Sequence, residues 1–159
     1  MLAEELQAPA ASGQRVMPGV SPLLQALKRR GHVFLALLTG NYSEAARIKL
    51  DHFGLWDHFR CGAFGEDSGQ RSELVAVALE RARSLGLPEG ALGDVFVVGD
   101  TPLDVACARA AGVRSIAVAT GGCGVARLQA SGPDAVFPDL TDTEAFLRLV
   151  DDGTARSAD

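Results

Sequence analysis

Hydrophobic and polar positions along the chain alternate between two patterns. Short apolar runs bounded by turn residues, at residues 33–38, 60–64, 95–98, 115–119 and 135–137, read as strands. Between them, apolar positions recur at helical spacing. Residues 21–30 present Leu23, Leu24 and Leu27, and Lys28, Arg29 and Arg30 fall in the last turn before Gly31, as the helix dipole prefers. A helix capped by Ser43 presents Ala46, Leu50 and Phe53 and stops at Gly54. Residues 71–86 form the longest helix, with Leu74, Val77, Ala78 and Leu85 inward. Shorter helices follow at 125–130 and 144–150. Strands and helices in this alternation predict an α/β fold, a parallel sheet covered by helices on both faces. Residues 1–16 read as a brief helical piece and a small-residue linker without a hydrophobic partner nearby, and 151–159 as a polar tail.

The segment from Val95 to Val113 organises the rest. Its strand stops at Gly99, which leaves Asp100 at the carboxyl end. Thr101 suits an N-cap, and Pro102 suits the first helical position, where its missing N–H costs nothing. Asp104 falls in the first turn and Gly112 ends the helix, with Leu103, Ala106, Cys107 and Ala110 on one apolar face. Two carboxylates thus stand at the crevice end of a parallel sheet, where α/β folds bind ligands. Taken alone, the same spacing also fits a plain helix start, with Asp104 complementing the dipole and Asp100 in a loop.

At 159 residues and 47% hydrophobic content, the chain suffices for one domain with a sizeable core. A net charge of −5, with no basic cluster longer than Lys28-Arg29-Arg30, argues against nucleic acid and anionic membranes as partners. Cys61, Cys107 and Cys123 are widely spaced and odd in number, which fits thiols in a reducing cytosol better than disulfides or a metal site. With no signal-like start and no membrane-length apolar run, a cytoplasmic location is expected.

Three further places invite chemistry. Thr39-Gly40-Asn41 closes a strand and opens a helix, so a hydroxyl, a permissive glycine and helix N-terminal N–H groups form a ready anion site, unless the segment is an ordinary capped turn. Asp100 and Asp104 supply hard oxygens suited to Mg²⁺ together with substrate phosphate. Arg71, opening the long helix, could neutralise phosphate charge, although an arginine beside a loop is more often a solvated surface residue. Gly121-Gly122-Cys123-Gly124 fails the dinucleotide pattern because position 127 is Arg, and reads as a tight turn. His32, His52 and His58 anchor no triad with Cys123.

Thr39-Gly40-Asn41 at one strand end and Gly99-Asp100-Thr101-Pro102-Leu103-Asp104 at another resemble the haloacid dehalogenase-like superfamily, and within it the phosphoglycolate phosphatase-like members. Pro18-Gly19-Val20, Gly112-Val113 and Ala119-Thr120-Gly121 extend the match over roughly residues 17 to 150. The resemblance implies a three-layer Rossmann-like core over residues 17–150 and a phosphatase acting on a small phosphorylated metabolite, a phosphate monoester. In that family a catalytic Asp attacks the ester, and water hydrolyses the resulting aspartyl phosphate. By resemblance, Thr39 and the Gly40 and Asn41 amides hold phosphoryl oxygens. Asp100 binds Mg²⁺, with Asp104 as a direct or indirect acidic partner, and Arg71 stands where the family usually has Lys.

The departure from the family is an absence. Its first strand ends in Asp-x-Asp-x-Thr, which supplies nucleophile and acid/base, and no such motif occurs here. Residues 1–16 resemble the tail of a cap domain, so the chain reads as the last two-thirds of a phosphatase, N-terminally incomplete and lacking its usual central strand. That strand belongs between the ones ending at Thr39 and Asp100. Each unpaired buried backbone group costs about 1–3 kcal/mol against a domain stability of about 5–15 kcal/mol. The fold is therefore expected to be marginal unless the two strands close up, or a partner chain or homo-oligomer supplies a strand. Two functions follow: a Mg²⁺-dependent phosphatase whose start lies upstream, or a catalytically inactive module that binds phosphate or a partner. A receiver-like alternative lacks the acidic pair at a first strand end.

Overall fold

The apolar residues of the strands divide by alternation between two helical layers. In the computed structural model, which describes residues 2–3 and 15–155, six parallel strands form one sheet. These are β1 (Leu2–Ala3), β2 (Ala36–Leu38), β3 (Cys61–Ala63), β4 (Phe96–Gly99), β5 (Arg114–Val118) and β6 (Ala135–Phe137), in the spatial order β3-β2-β1-β4-β5-β6. The helices are α1 (Val20–Arg29), α2 (Ser43–His52), α3 (Arg71–Ser84), α4 (Pro102–Ala110), α5 (Val125–Ala130) and α6 (Thr143–Ala155). Leu37, Phe96, Val98, Ile116 and Val118 pack with Leu23, Leu24 and Leu27 of α1, Leu50 of α2 and Phe146 of α6. The alternate residues Ala36, Leu38, Ala63 and Val97 pack with Leu74, Val75 and Ala78 of α3 and Cys107 and Ala108 of α4. Ala117, on that second face, meets Val105 of α4 and Leu128 of α5. A period of two along each strand thus produces three layers. The expected parallel α/β class is what forms.

The centre of the sheet is where expectation and structure differ in detail. Leu2 pairs with Ala36 on one side and Val97 on the other, and Ala3 with Leu37 and Val98. The chain's own first residues therefore stand between β2 and β4, as a strand and not as a helical piece. Val16, also expected to lack a hydrophobic partner, packs with Met17 against the larger core cluster. The physical reason is the demand of two facing ladders: unpaired N–H and C=O groups inside a sheet recruit any extended backbone within reach. The described part of β1 is Leu2–Ala3, neither of which bears a carboxylate, and it holds the central place that was expected to be empty. Residues 1 and 4–14 of the expected linker lie outside the described residues.

Other boundaries shift for local reasons. β2 spans three residues where six were expected, and α6 runs to Ala155, well past the expected end at Val150. Asp151, expected in a polar tail, is ion-paired with Arg30, which ties the last helix to the end of α1. In α3 the buried set is Leu74, Val75, Ala78, Leu79 and Ala82; Leu85 lies beyond the helix and is exposed. Cys61, Cys107 and Cys123 are thiols. No helix among the described residues is long and apolar enough to cross a membrane.

Candidate active site

Thr39 and Asp100 are the residues that follow β2 and β4, and the strand register sets them level. Each lies three positions beyond a partner of Leu2, namely Ala36 and Val97. The strands are parallel, so both emerge at the same edge of the sheet, two inter-strand spacings or roughly 10 Å apart. Both side chains are buried, at 5% and 8% exposure.

The turn after β2 is internally bonded. Thr39 Oγ1 accepts from the Asn41 backbone N–H (3.1 Å) and from Asn41 Nδ2 (3.0 Å), and Asn41 Oδ1 accepts from Lys49 Nζ (3.3 Å). Thr39 N–H donates to the Ala63 carbonyl (3.1 Å), which fastens the turn to the neighbouring strand. Among the described residues, a Cβ added at Gly40 would have no heavy atom within 4 Å. The expected Ser43 cap does not form. Tyr42 occupies the N-cap position without a side-chain bond, and the Ser43 N–H instead donates to both Glu66 carboxylate oxygens at 3.0 Å. A carboxylate from the next loop satisfies the helix start and complements its dipole. That bond holds Glu66 below the usual carboxylate range. The open anion site expected at this helix is thus already partly filled from within the protein.

The turn after β4 follows its sequence closely. Thr101 is the N-cap of α4 and Pro102 opens the helix. Asp104 completes a capping box: its N–H donates to Thr101 Oγ1, while its Oδ2 accepts from Thr101 N (2.9 Å) and Thr101 Oγ1 (2.8 Å). Its other oxygen, Oδ1, accepts from Arg71 Nη2 (2.8 Å) and Nε (3.2 Å). Arg71 is therefore no solvated surface residue; its side chain is 24% exposed, against 3% for Asp104. Turning Asp104 inward rotates α4, so its buried residues are Asp104, Val105, Cys107 and Ala108. The expected apolar face through Leu103 and Ala106 is corrected accordingly, with Leu103 52% exposed.

The Gly121–Gly124 segment, expected as a tight turn, closes over Asp100. A side chain at Gly121 would collide with the Asp100 carboxylate, and one at Gly99 would collide with Asp104. Glycine is required at both positions by close approach. Among the described residues no group of three or more His, Cys, Asp and Glu is spaced to hold a metal by protein ligands alone. Asp100 offers one hard oxygen donor group at a strand end, whereas both oxygens of Asp104 are engaged by Arg71 and Thr101. One carboxylate completed by waters and a substrate phosphate is a recognised Mg²⁺ arrangement, so the donor set fits that ion with Asp100 as the protein ligand.

Glu66, Asp67, Lys49 and Arg81 were not legible as site residues in the sequence. Glu66 and Asp67 read as members of a polar loop, and Lys49 and Arg81 fall inside expected helices without being singled out. Apart from the turn bond between Asp67 and the Phe64 N–H, the contacts that tie them to the site span 8 to 23 residues.

Comparison with known proteins agrees with this geometry. Residues 71–143 match the HAD-hydrolase-like family. The chain is 32% identical over 145 residues to phosphoglycolate phosphatase of Rhodospirillum rubrum, covering 91% of this chain and 58% of that protein. It is 36% identical over 106 residues to tyrosine-protein kinase PtkA of Mycobacterium tuberculosis, covering 65% of this chain and 34% of that one. The fold superposes with a TM-score of 0.73 on a predicted phosphatase from Clostridium acetobutylicum, at 24% identity, over 85% of this chain and 61% of that one. The chain thus spans about a third to three-fifths of these proteins' lengths. With motifs, sheet order and relatives in agreement, the chain is similar to haloacid dehalogenase-like hydrolases and, among them, to phosphoglycolate phosphatases.

Proposed function

We propose that this chain forms the phosphoryl-binding core of a Mg²⁺-dependent phosphatase for a small phosphate monoester, similar to phosphoglycolate phosphatases. The observation that carries the reading is the level placement of buried Thr39 and Asp100 at one sheet edge, on either side of β1. In this reading Thr39 and the Gly40 amide hold phosphoryl oxygens, and the Asn41 amide joins them by exchanging its bond to Thr39 Oγ1 for one to the ligand. Asp100 would hold Mg²⁺, which when bound shields phosphoryl charge. Arg71 directs its cation toward the same edge, and Asp104 acts through Arg71 and the Thr101 turn without touching the metal. The two curated relatives bear the names of a phosphatase and a kinase, both phosphoryl-transfer activities, which supports a phosphoryl ligand.

A second reading, a catalytically inactive phosphate- or partner-binding module of cytoplasmic location, is favoured by one feature: β1 is Leu2–Ala3, so it carries no nucleophilic carboxylate. A strand supplied by a partner or a second copy would, under either reading, compete with β1 for β2 and β4.

Titration calorimetry with Mg²⁺ in the presence of inorganic phosphate tests the site. Asp100→Asn should lose Mg²⁺ binding and keep the fold; unchanged Mg²⁺ binding would overturn the metal assignment. Turnover of a generic aryl phosphate separates the two readings, because binding without turnover belongs to the inactive module.

A further inference from the structure

The loop between β3 and α3 is tied down at both ends of a short relay. Arg81, in the third turn of α3, places Nη1 2.7 Å and Nη2 2.6 Å from the two oxygens of Asp67, and Nη1 also donates to the Gly62 carbonyl at 2.7 Å. Asp67 Oδ2 accepts from the Phe64 N–H at 2.8 Å, so the carboxylate closes the turn from Phe64 to Asp67. The Asp67 side chain is only 15% exposed. Such a forked pair fixes direction as well as distance.

What this turn holds is the strand end already described. Gly65 N–H donates to the Asn41 carbonyl at 2.9 Å, and Glu66 takes the Ser43 N–H. Gly65 approaches the Gly40 carbonyl so closely that a side chain there would collide with it. The Thr39–Ser43 turn is therefore bonded at Asn41 and Ser43 and closely approached at Gly40 by residues 65 and 66, whose backbone direction is set by Asp67.

We infer that Arg81, acting through Asp67, is a positioning residue for the Thr39-Gly40-Asn41 turn, and so for any phosphoryl group bound there; the second clause rests on the function proposed above. Arg81 touches no ligand in this scheme. It sets the position of the Gly40–Asn41 backbone at the sheet edge, by holding the loop that holds it. The pair favours its own charged state: the guanidinium beside Asp67 keeps that carboxyl below the usual range, and Arg81 is pushed up in return.

The test uses the full 159-residue chain, isotopically labelled, with amide exchange and a titration of inorganic phosphate followed by nuclear magnetic resonance. Arg81→Met should speed exchange of the Gly65 N–H, shift the Asn41 side-chain amide signal and weaken phosphate binding roughly tenfold, while signals from α4 and β5 stay in place. Arg81→Lys keeps the charge without the fork and should recover part of the loss. Gly65→Ala, which leaves Arg81 and Asp67 intact, should weaken phosphate to a similar degree and also decides the matter where Arg81→Met does not fold. Unchanged Gly65 exchange and Asn41 signal in Arg81→Met, or unchanged phosphate affinity in Gly65→Ala, overturns the assignment. If phosphate moves no signal at residues 39–42 of the unaltered chain, the phosphoryl reading falls. The exchange rates then judge the positioning role by themselves.

Discussion

Asp104 shows how much one side chain can settle. Its oxygens are divided between Thr101, as a cap, and Arg71, as an ion pair, and it is almost fully buried. Removing it leaves a partly buried guanidinium and an uncapped helix, so Asp104→Ala should cost about 3 kcal/mol, read by urea unfolding. Asp104→Asn should cost less, since the amide keeps an acceptor for Thr101 or Arg71. Asp67 gives a pH dependence of known sign. Arg81 lowers its folded-state pKa, so its stabilisation is complete above the ordinary aspartate value of about 3.9 and is lost as pH falls below that toward the lowered one. Amide exchange at Gly65 should therefore stay constant through neutral pH, once intrinsic rates are divided out, and accelerate only in that acid window. Acceleration already at pH 5 to 6 would point to a different group.

At the scale of elements, α4 separates pattern from packing. Its start was legible from Thr101, Pro102 and Asp104 because capping is local chemistry within four residues. Its buried face was not. Apolar spacing favoured Leu103 and Ala106, but a buried Asp104 rotates the helix toward Val105, Cys107 and Ala108. Accordingly Leu103→Ala should change stability by less than about 0.5 kcal/mol, and Val105→Ala should cost about 1–3 kcal/mol. Equal losses in chemical denaturation would restore the original face. The start of α2 makes the same point. Ser43 is a good capping residue by type, yet a carboxylate 23 residues away takes its N–H.

At the scale of the molecule, β1 joins the sheet's two halves among the described residues. Among those residues the two halves, β3-β2 and β4-β5-β6, share no direct strand pairing, and Leu2–Ala3 bridges them. Proline at position 3 cannot donate to a ladder and so should weaken this bridge. Ala3→Pro is expected to lower stability by about 1–3 kcal/mol, seen as a lower melting midpoint. An unaltered midpoint would mean that helix packing, through Phe146 of α6 and the leucines of α1, holds the halves together unaided.

The sequence by itself determined whatever is set by neighbours along the chain. Short apolar runs alternating with helical spacing specified a parallel α/β sheet, and capping chemistry specified the turn that carries Asp100. The order of two motifs pointed to the phosphatase family. Tertiary structure decided what depends on residues far apart. It put Leu2–Ala3 into the central slot, because facing ladders need a backbone and not a particular side chain. It assigned Arg71 to Asp104 and Glu66 to Ser43, where separate strands deliver their loops to one edge, and Arg81 to Asp67, where α3 folds back along the loop before it. Local spacing encodes periodicity and caps; which charges meet is encoded only in the packed sheet.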